Sequence, residues 1–217
     1  MLTKAQATTM LRLQAEMNAK VNPAWIEAAY PYLRAVVVEG AEAMEHRGWK
    51  WWKKQDCDLS QLQMELVDIW HFTLSHLLLV HGGDQQRALG DLLAAHTADS
   101  VSFDGLEYRI ADLDLVAKLE LNIGLAAARR ISLPLFSALL RDCGLDWQAL
   151  YCQYVGKNVL NFFRQDHGYK AGTYRKMWGG REDNEHLVDI MQTLDASAAD
   201  FQHQLYTSLQ DRYQRTR

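Results

Sequence analysis

Cysteine and proline are scarce, at three each in 217 residues. Cys57, Cys143 and Cys152 are odd in number and widely spaced, forming neither a disulfide framework nor a zinc pattern, which points to a reducing, cytoplasmic setting. Long apolar runs are missing. The nearest, His76-Leu77-Leu78-Leu79-Val80, is too short and broken to span a bilayer, and the opening MLTKAQATTMLRLQAEMNAK lacks the apolar centre of a signal peptide. No membrane partner is expected. Cationic excess is missing too: the net charge of −4 argues against a nucleic-acid partner, so any polyphosphate must be held by a few aimed cations and metal ions. Strand-like alternation is hard to find, and no repeat, low-complexity tract or long linker divides the chain. A single all-α domain over residues 1–217 is expected, and 48% hydrophobic residues can supply its core.

What is present reads as helices. Residues Lys4 to Lys20 suit a first one, and Asn22-Pro23 reads as an N-cap with proline at the first helical position. Tyr30-Pro31 interrupts, and a longer helix is predicted from Tyr32 to His46, stopped by Gly48. Trp49 to Cys57 reads as a loop. Asp58 with Gln61 resembles a capping box opening a helix to His81; Asp84 caps the next, to about His96. Ala98 to Gly105 reads as a polar loop, followed by helices over Glu107–Arg130, from Pro134 to Gly144, and from the Asp146 cap to Arg164. A glycine-bearing segment, HGYKAGTYRKMWGG, precedes a helix after Asp183, for which Asp183 serves as a cap, and a last helix to Tyr213.

Two predicted helices carry matching acidic pairs, Glu39 with Glu42 and Glu65 with Asp68. Three-residue spacing places each pair on one helix face. Carboxylate oxygens suit Mg²⁺ or Mn²⁺, which a few acids plus substrate phosphates commonly hold. Such pairs are also common on solvated faces, and both lie opposite their helix's main apolar stripe. Against solvation, Ala35 and Val38 flank the first pair and Phe72 the second.

Between the pairs lies GWKWWKK, with Trp49, Trp51 and Trp52 able to stack on a base or simply to pack, and Lys50, Lys53 and Lys54 as solvated tips. Further on, Lys157, Asn161 and Arg164 share a helix face, and Lys170, Tyr174, Arg175 and Lys176 follow in the glycine-bearing loop. This is a cluster of donors suited to phosphate in an acidic chain.

The segments EGAEAMEHRGWKWWKK, ELVDIWHF and GKNVLNFFRQDHGYKAGTYRKMWGGREDN, in that order, resemble the dimeric all-α dUTP diphosphatases of kinetoplastids, some bacteria and phages, and LQAEMN (Leu13 to Asn18) looks like that family's first motif. The resemblance implies a helical bundle related to the MazG-like NTP pyrophosphohydrolases, a homodimer, and Mg²⁺-dependent hydrolysis of dUTP and dUDP to dUMP. It assigns the metal to Glu39, Glu42, Glu65 and Asp68, and the uracil to Gln14, Asn18 and Trp52, with Phe72 against the deoxyribose. It also brings Lys157, Asn161, Arg164, Lys170, Tyr174, Lys176 and Asn184 over the nucleotide, mainly at its phosphates. Glu42, then Glu39, is the expected base. A pyrophosphohydrolase for another nucleotide such as dCTP, and a helical binding protein without catalysis, stay open. Leu92 to Gln148 matches no motif.

Overall fold

A computed structural model describes residues 1–94, 98–195, 198 and 200–216. The chain runs through α1 (Lys4–Val21), α2 (Trp25–Ala28), α3 (Tyr32–Arg47), α4 (Leu59–Val80) and α5 (Gln85–Ala94). A hairpin follows, β1 (Ser100–Phe103) with β2 (Leu106–Arg109), then a short 3₁₀ turn, α6 (Leu115–Ala127), α7 (Leu133–Asp142) and α8 (Trp147–Asp166). A second small hairpin, β3 (Met177–Trp178) with β4 (Arg181–Glu182), leads into α9 (Asp183–Met191) and α10 (Phe201–Arg215). The protein is all-α in class, with strand confined, among the described residues, to these two hairpins.

Local chemistry sets the helix ends. Thr3 and Gln6 cap α1 reciprocally, and Asp58, Asp114, Ser132 and Asp146 each accept a hydrogen bond from the backbone N–H three residues on, at the starts of α4, α6, α7 and α8. Gly48 stops α3 at φ 75°, donating its N–H to Met44 and Glu45 carbonyls.

The 22-residue α4 is the spine. It contacts α3, α1, α8, α7 and α5, and Leu62, Leu66, Trp70, Leu74 and Leu78 along it are fully buried. Each such side chain contributes roughly 1.5–3 kcal/mol through burial. Trp70 stacks on Phe136 of α7 at 5.1 Å. On the other side of α3, Gly40 lets α6 approach: a Cβ there would stand 2.6 Å from Ile123. Since α3 and α4 pack along each other, their acidic pairs are brought face to face.

Two predicted segments differ. The helix expected over Glu107–Arg130 begins only at Leu115, because Ser100–Phe103 and Leu106–Arg109 pair as a hairpin around Asp104-Gly105. Both turn residues have positive φ, 52° and 76°, the requirement of a two-residue Asp-Gly hairpin turn. That dipeptide was the available signal. The second helix starts at Trp25, since the Asn22 side chain accepts from Ala24 N–H and forms a turn ahead of it. The predicted end of α5 near His96 lies outside the described residues.

Candidate active site

The site is built from α1, α3, α4 and α8. One carboxylate oxygen from each of Glu39 and Glu42 on α3 and Glu65 on α4 lies within 4.8 Å of the others. Glu42 is exposed, Glu39 half-buried and Glu65 buried, so the cluster reaches from solvent into the core. The arc of α4 that carries Glu65 lies opposite the main apolar stripe of its helix, yet it is not solvated, because α3 covers it. Asp68 stands one turn beyond Glu65 and is held by the Lys157 ammonium of α8 at 2.8 Å.

Electrostatics fit a cation site. Burial, then the charges of Asp68 and Glu42, raise the Glu39 carboxyl above its ordinary value. Burial, then Asp68 and Glu39, do the same to Glu65. These acids resist ionising together unless positive charge joins them. Lys157 supplies part of it. An all-oxygen donor set of three carboxylates, with a fourth at hand, suits a hard divalent ion.

Beside the acids lies a cavity of about 320 Å³, within the range of small-molecule sites. Glu39, Asp68, Lys157, Asn161 and Arg164 line it, and so do Gln14, Asn18, Phe72, His71 and Ser75. Predicted acidic, base and phosphate residues thus share one space. His71, Ser75, Tyr30, Tyr32 and Tyr169 are lining residues that the sequence reading missed. For His71 and Ser75 the signal was periodicity: Asp68, His71, Phe72 and Ser75 fall at steps of three, one and three on α4, and Gln14 and Asn18 are four apart on α1.

The C-terminal donors divide into two groups. Lys157 also donates to Asn184 Oδ1 at 2.9 Å, and Arg164 reaches Asn161 Oδ1 and Asn184 Oδ1 at 3.2 and 3.3 Å. Arg164 chiefly grips Asp183 through two bonds of 2.8 Å, and Tyr174 donates to the same carboxylate. Asp183 is fully buried and Glu182 occupies the N-cap, so Asp183 is an anchor rather than the predicted cap. Burial pushes the Asp183 carboxyl up, but the Arg164 bonds and charge outweigh it and hold it below its ordinary value. Lys170 and Lys176 lie off the cavity, on the Val21 carbonyl and on Glu182.

Trp52 is also not among the described residues lining the cavity. It is 58% exposed and packs edge-to-face on Trp49 and Trp51, while Lys50 is paired with Glu45.

Acids gathered between helices, cations converging from α8 and an adjoining cavity with amide-bearing walls define a class, the helical nucleotide hydrolases. The family model described as dUTPase matches residues 6–169, about three quarters of the chain. The chain belongs to the all-α dUTPase family, whose activity is dUTP diphosphatase. No curated protein shows significant similarity to it. No helix among the described residues is long and apolar enough to cross a membrane.

Proposed function

We propose that this member of the family hydrolyses dUTP, and dUDP as well, to dUMP with Mg²⁺, Mn²⁺ serving as a substitute, and that it works as a cytoplasmic homodimer that limits uracil entry into DNA. The observation that carries the reading is the convergence of Glu39, Glu42 and Glu65 within 4.8 Å beside the cavity that holds Gln14 and Asn18. Glu39, Glu42, Glu65 and Asp68 would hold the ions. When bound, divalent ions supply charge neutralisation along the phosphate chain and acidify water.

The chain's own residues do the rest. Glu42, the exposed member of the cluster, is proposed to take the proton of a water attacking the α-phosphorus in line, with Glu39 as second choice. Pyrophosphate leaves from dUTP. Lys157, at hydrogen-bond range of Asp68, is proposed to stabilise charge on the phosphates, with Asn161 and Asn184 beside it. Arg164, committed to Asp183, acts first by fixing the loop that carries Tyr174 against the start of α9, where Asn184 sits. Lys170 and Lys176 reach the phosphates only if that loop moves inward when substrate binds. Exposed Trp51, Trp52, Val38 and Leu59 offer apolar area for a second copy.

The test is a panel of dNTPs with the purified protein, with Mg²⁺, Mn²⁺ or EDTA. The reading expects dUMP and pyrophosphate from dUTP, abolished by EDTA. Preference for dCTP contradicts the substrate assignment, and inactivity with every nucleotide favours a non-catalytic binding protein.

A further inference from the structure

Arg175 sits among the basic residues of the segment between α8 and α9, yet it is not one of the described residues that line the cavity. Its guanidinium is bound elsewhere. Nη1 donates to the Thr216 carbonyl and Nη2 to the Tyr213 carbonyl, each at 2.6 Å, at the C-terminal end of α10. Carbonyls of a last helical turn lack partners within the helix and carry its negative pole, so a cation suits them. The same guanidinium lies 4.6 Å from the centre of the Tyr213 ring. The sequence reading of Arg175 as a phosphate donor gives way to a bond between this segment and the final helix.

Tyr213 gathers the rest of the segment. Its ring stacks on Tyr174 at 5.7 Å and 9°, meets Trp178 edge-on at 5.2 Å, and is backed by Phe163 of α8 at 5.4 Å. Trp178, fully buried, donates its Nε1–H to the Arg175 carbonyl at 2.7 Å. Asp189 of α9 accepts from Arg181 of β4 at 2.8 Å and from Arg212 of α10 at 3.4 Å, which ties the second hairpin to the same helical turn. At the hairpin's tip a Cβ on Gly179 would stand 3.5 Å from Thr216.

Two routes lead from here to the site. Tyr174, stacked on Tyr213, also lies 5.8 Å from Tyr169, a wall residue of the cavity. Tyr174 donates in addition to Asp183, which holds Arg164 at 2.8 Å beside Asn161 and Asn184.

We propose, building on the dUTP reading, that Tyr213 is a positioning residue for the nucleotide site: the last turn of α10 is the post on which residues 168–182 are mounted, and the Tyr213 ring sets where Tyr174, Tyr169 and the Asp183–Arg164 pair stand before nucleotide arrives. Without the ring the segment samples other positions, and only a fraction of molecules presents a complete wall. Apparent affinity drops by that fraction, whereas saturating nucleotide restores the complete form and with it the chemical rate.

Tyr213→Ala is therefore expected to raise KM for dUTP about tenfold and to keep kcat within about twofold. Loss of folded protein alone does the opposite, lowering kcat at unchanged KM. Tyr213→Phe keeps the ring and drops only a 3.4 Å bond from the Arg175 N–H, so its KM stays at the wild-type value. Arg175→Met removes the mount from the other side and leaves the ring cluster whole. It is expected to raise KM as well, so the test does not depend on Tyr213→Ala folding. An unchanged KM in Tyr213→Ala and Arg175→Met, a fall in kcat alone, or a KM raised equally by Tyr213→Phe overturns the proposal. Trypsin reads the mount without substrate. Cleavage after Lys170 and Lys176 is expected to speed up about tenfold in Tyr213→Ala and Arg175→Met, while cleavage after Arg87 on α5 keeps its wild-type rate. Cleavage of the segment at the wild-type rate overturns the mount. A wild type inert towards dUTP overturns the dUTP reading, and the trypsin result still decides the mount.

Discussion

Nζ of Lys157 lies 2.8 Å from Oδ2 of Asp68 and 2.9 Å from Oδ1 of Asn184, so one buried ammonium joins the acid cluster on α4 to the start of α9. Lys157 is 2% exposed and has little freedom to point elsewhere. Lys157→Met removes the charge and keeps most of the volume. It is expected to lower kcat/KM for dUTP by about 10²-fold or more, the scale of losing one preorganised charge-stabilising group. Steady-state kinetics checks this, and an unchanged kcat/KM removes Lys157 from the phosphate site.

The Arg164–Asp183 pair makes a stability prediction. It is doubly bonded, buried, and tied to Tyr174. Asp183→Ala leaves the guanidinium without its counter-charge and is expected to destabilise the protein by about 3–5 kcal/mol. Urea denaturation reads the change. A shift of only a few tenths contradicts the anchoring role.

The raised carboxyls of Glu39 and Glu65 fix the sign of a pH effect. The folded protein holds these protons to higher pH than the unfolded chain, whose glutamates titrate near 4.3. Where the native state binds more protons, stability falls as pH rises. These two groups therefore make cation-free protein less stable from about pH 4.3 upward. Mg²⁺ or Mn²⁺ is expected to raise the melting temperature more at pH 8 than at pH 5. Thermal melts with EDTA and with each ion measure this, and an ion effect that is larger at pH 5 contradicts it.

Glu42 is exposed while its cluster partners are half-buried or buried, so Glu42→Gln is expected to fold and to bind nucleotide. Turnover is expected to fall about 10²–10⁴-fold, the range for losing a general base. Near-normal turnover removes Glu42 from that role.

Much of the architecture was legible in the sequence because caps and stops are local. Asp58, Asp146 and Gly48 act within one helical turn, and they mark boundaries that the structure keeps within a few residues. The hairpin at Ser100–Arg109 escaped because its strands are short and Leu106, Glu107 and Tyr108 also suit a helix; only the Asp104-Gly105 turn distinguished the two. In the site, spacing placed the acids on shared faces, but the burial of Glu65 depends on α3 packing over it, which no local pattern encodes. His71 and Ser75 were missed for a related reason: a histidine and a serine in an apolar helix stand out only once Gln14 of α1 is seen against them. Trp52 shows the converse. Its type suggested a base-stacking role, yet within one chain it packs on other tryptophans outside the cavity.

Glu39, Glu42 and Glu65 are proposed to hold divalent cations together. Mn²⁺ titrated into the wild type and into the Glu39→Gln/Glu65→Gln protein, with free Mn²⁺ followed by electron paramagnetic resonance, decides whether they do. Bound Mn²⁺ is expected in the wild type, and its loss in the folded double variant. Equal Mn²⁺ binding by the two proteins would contradict it.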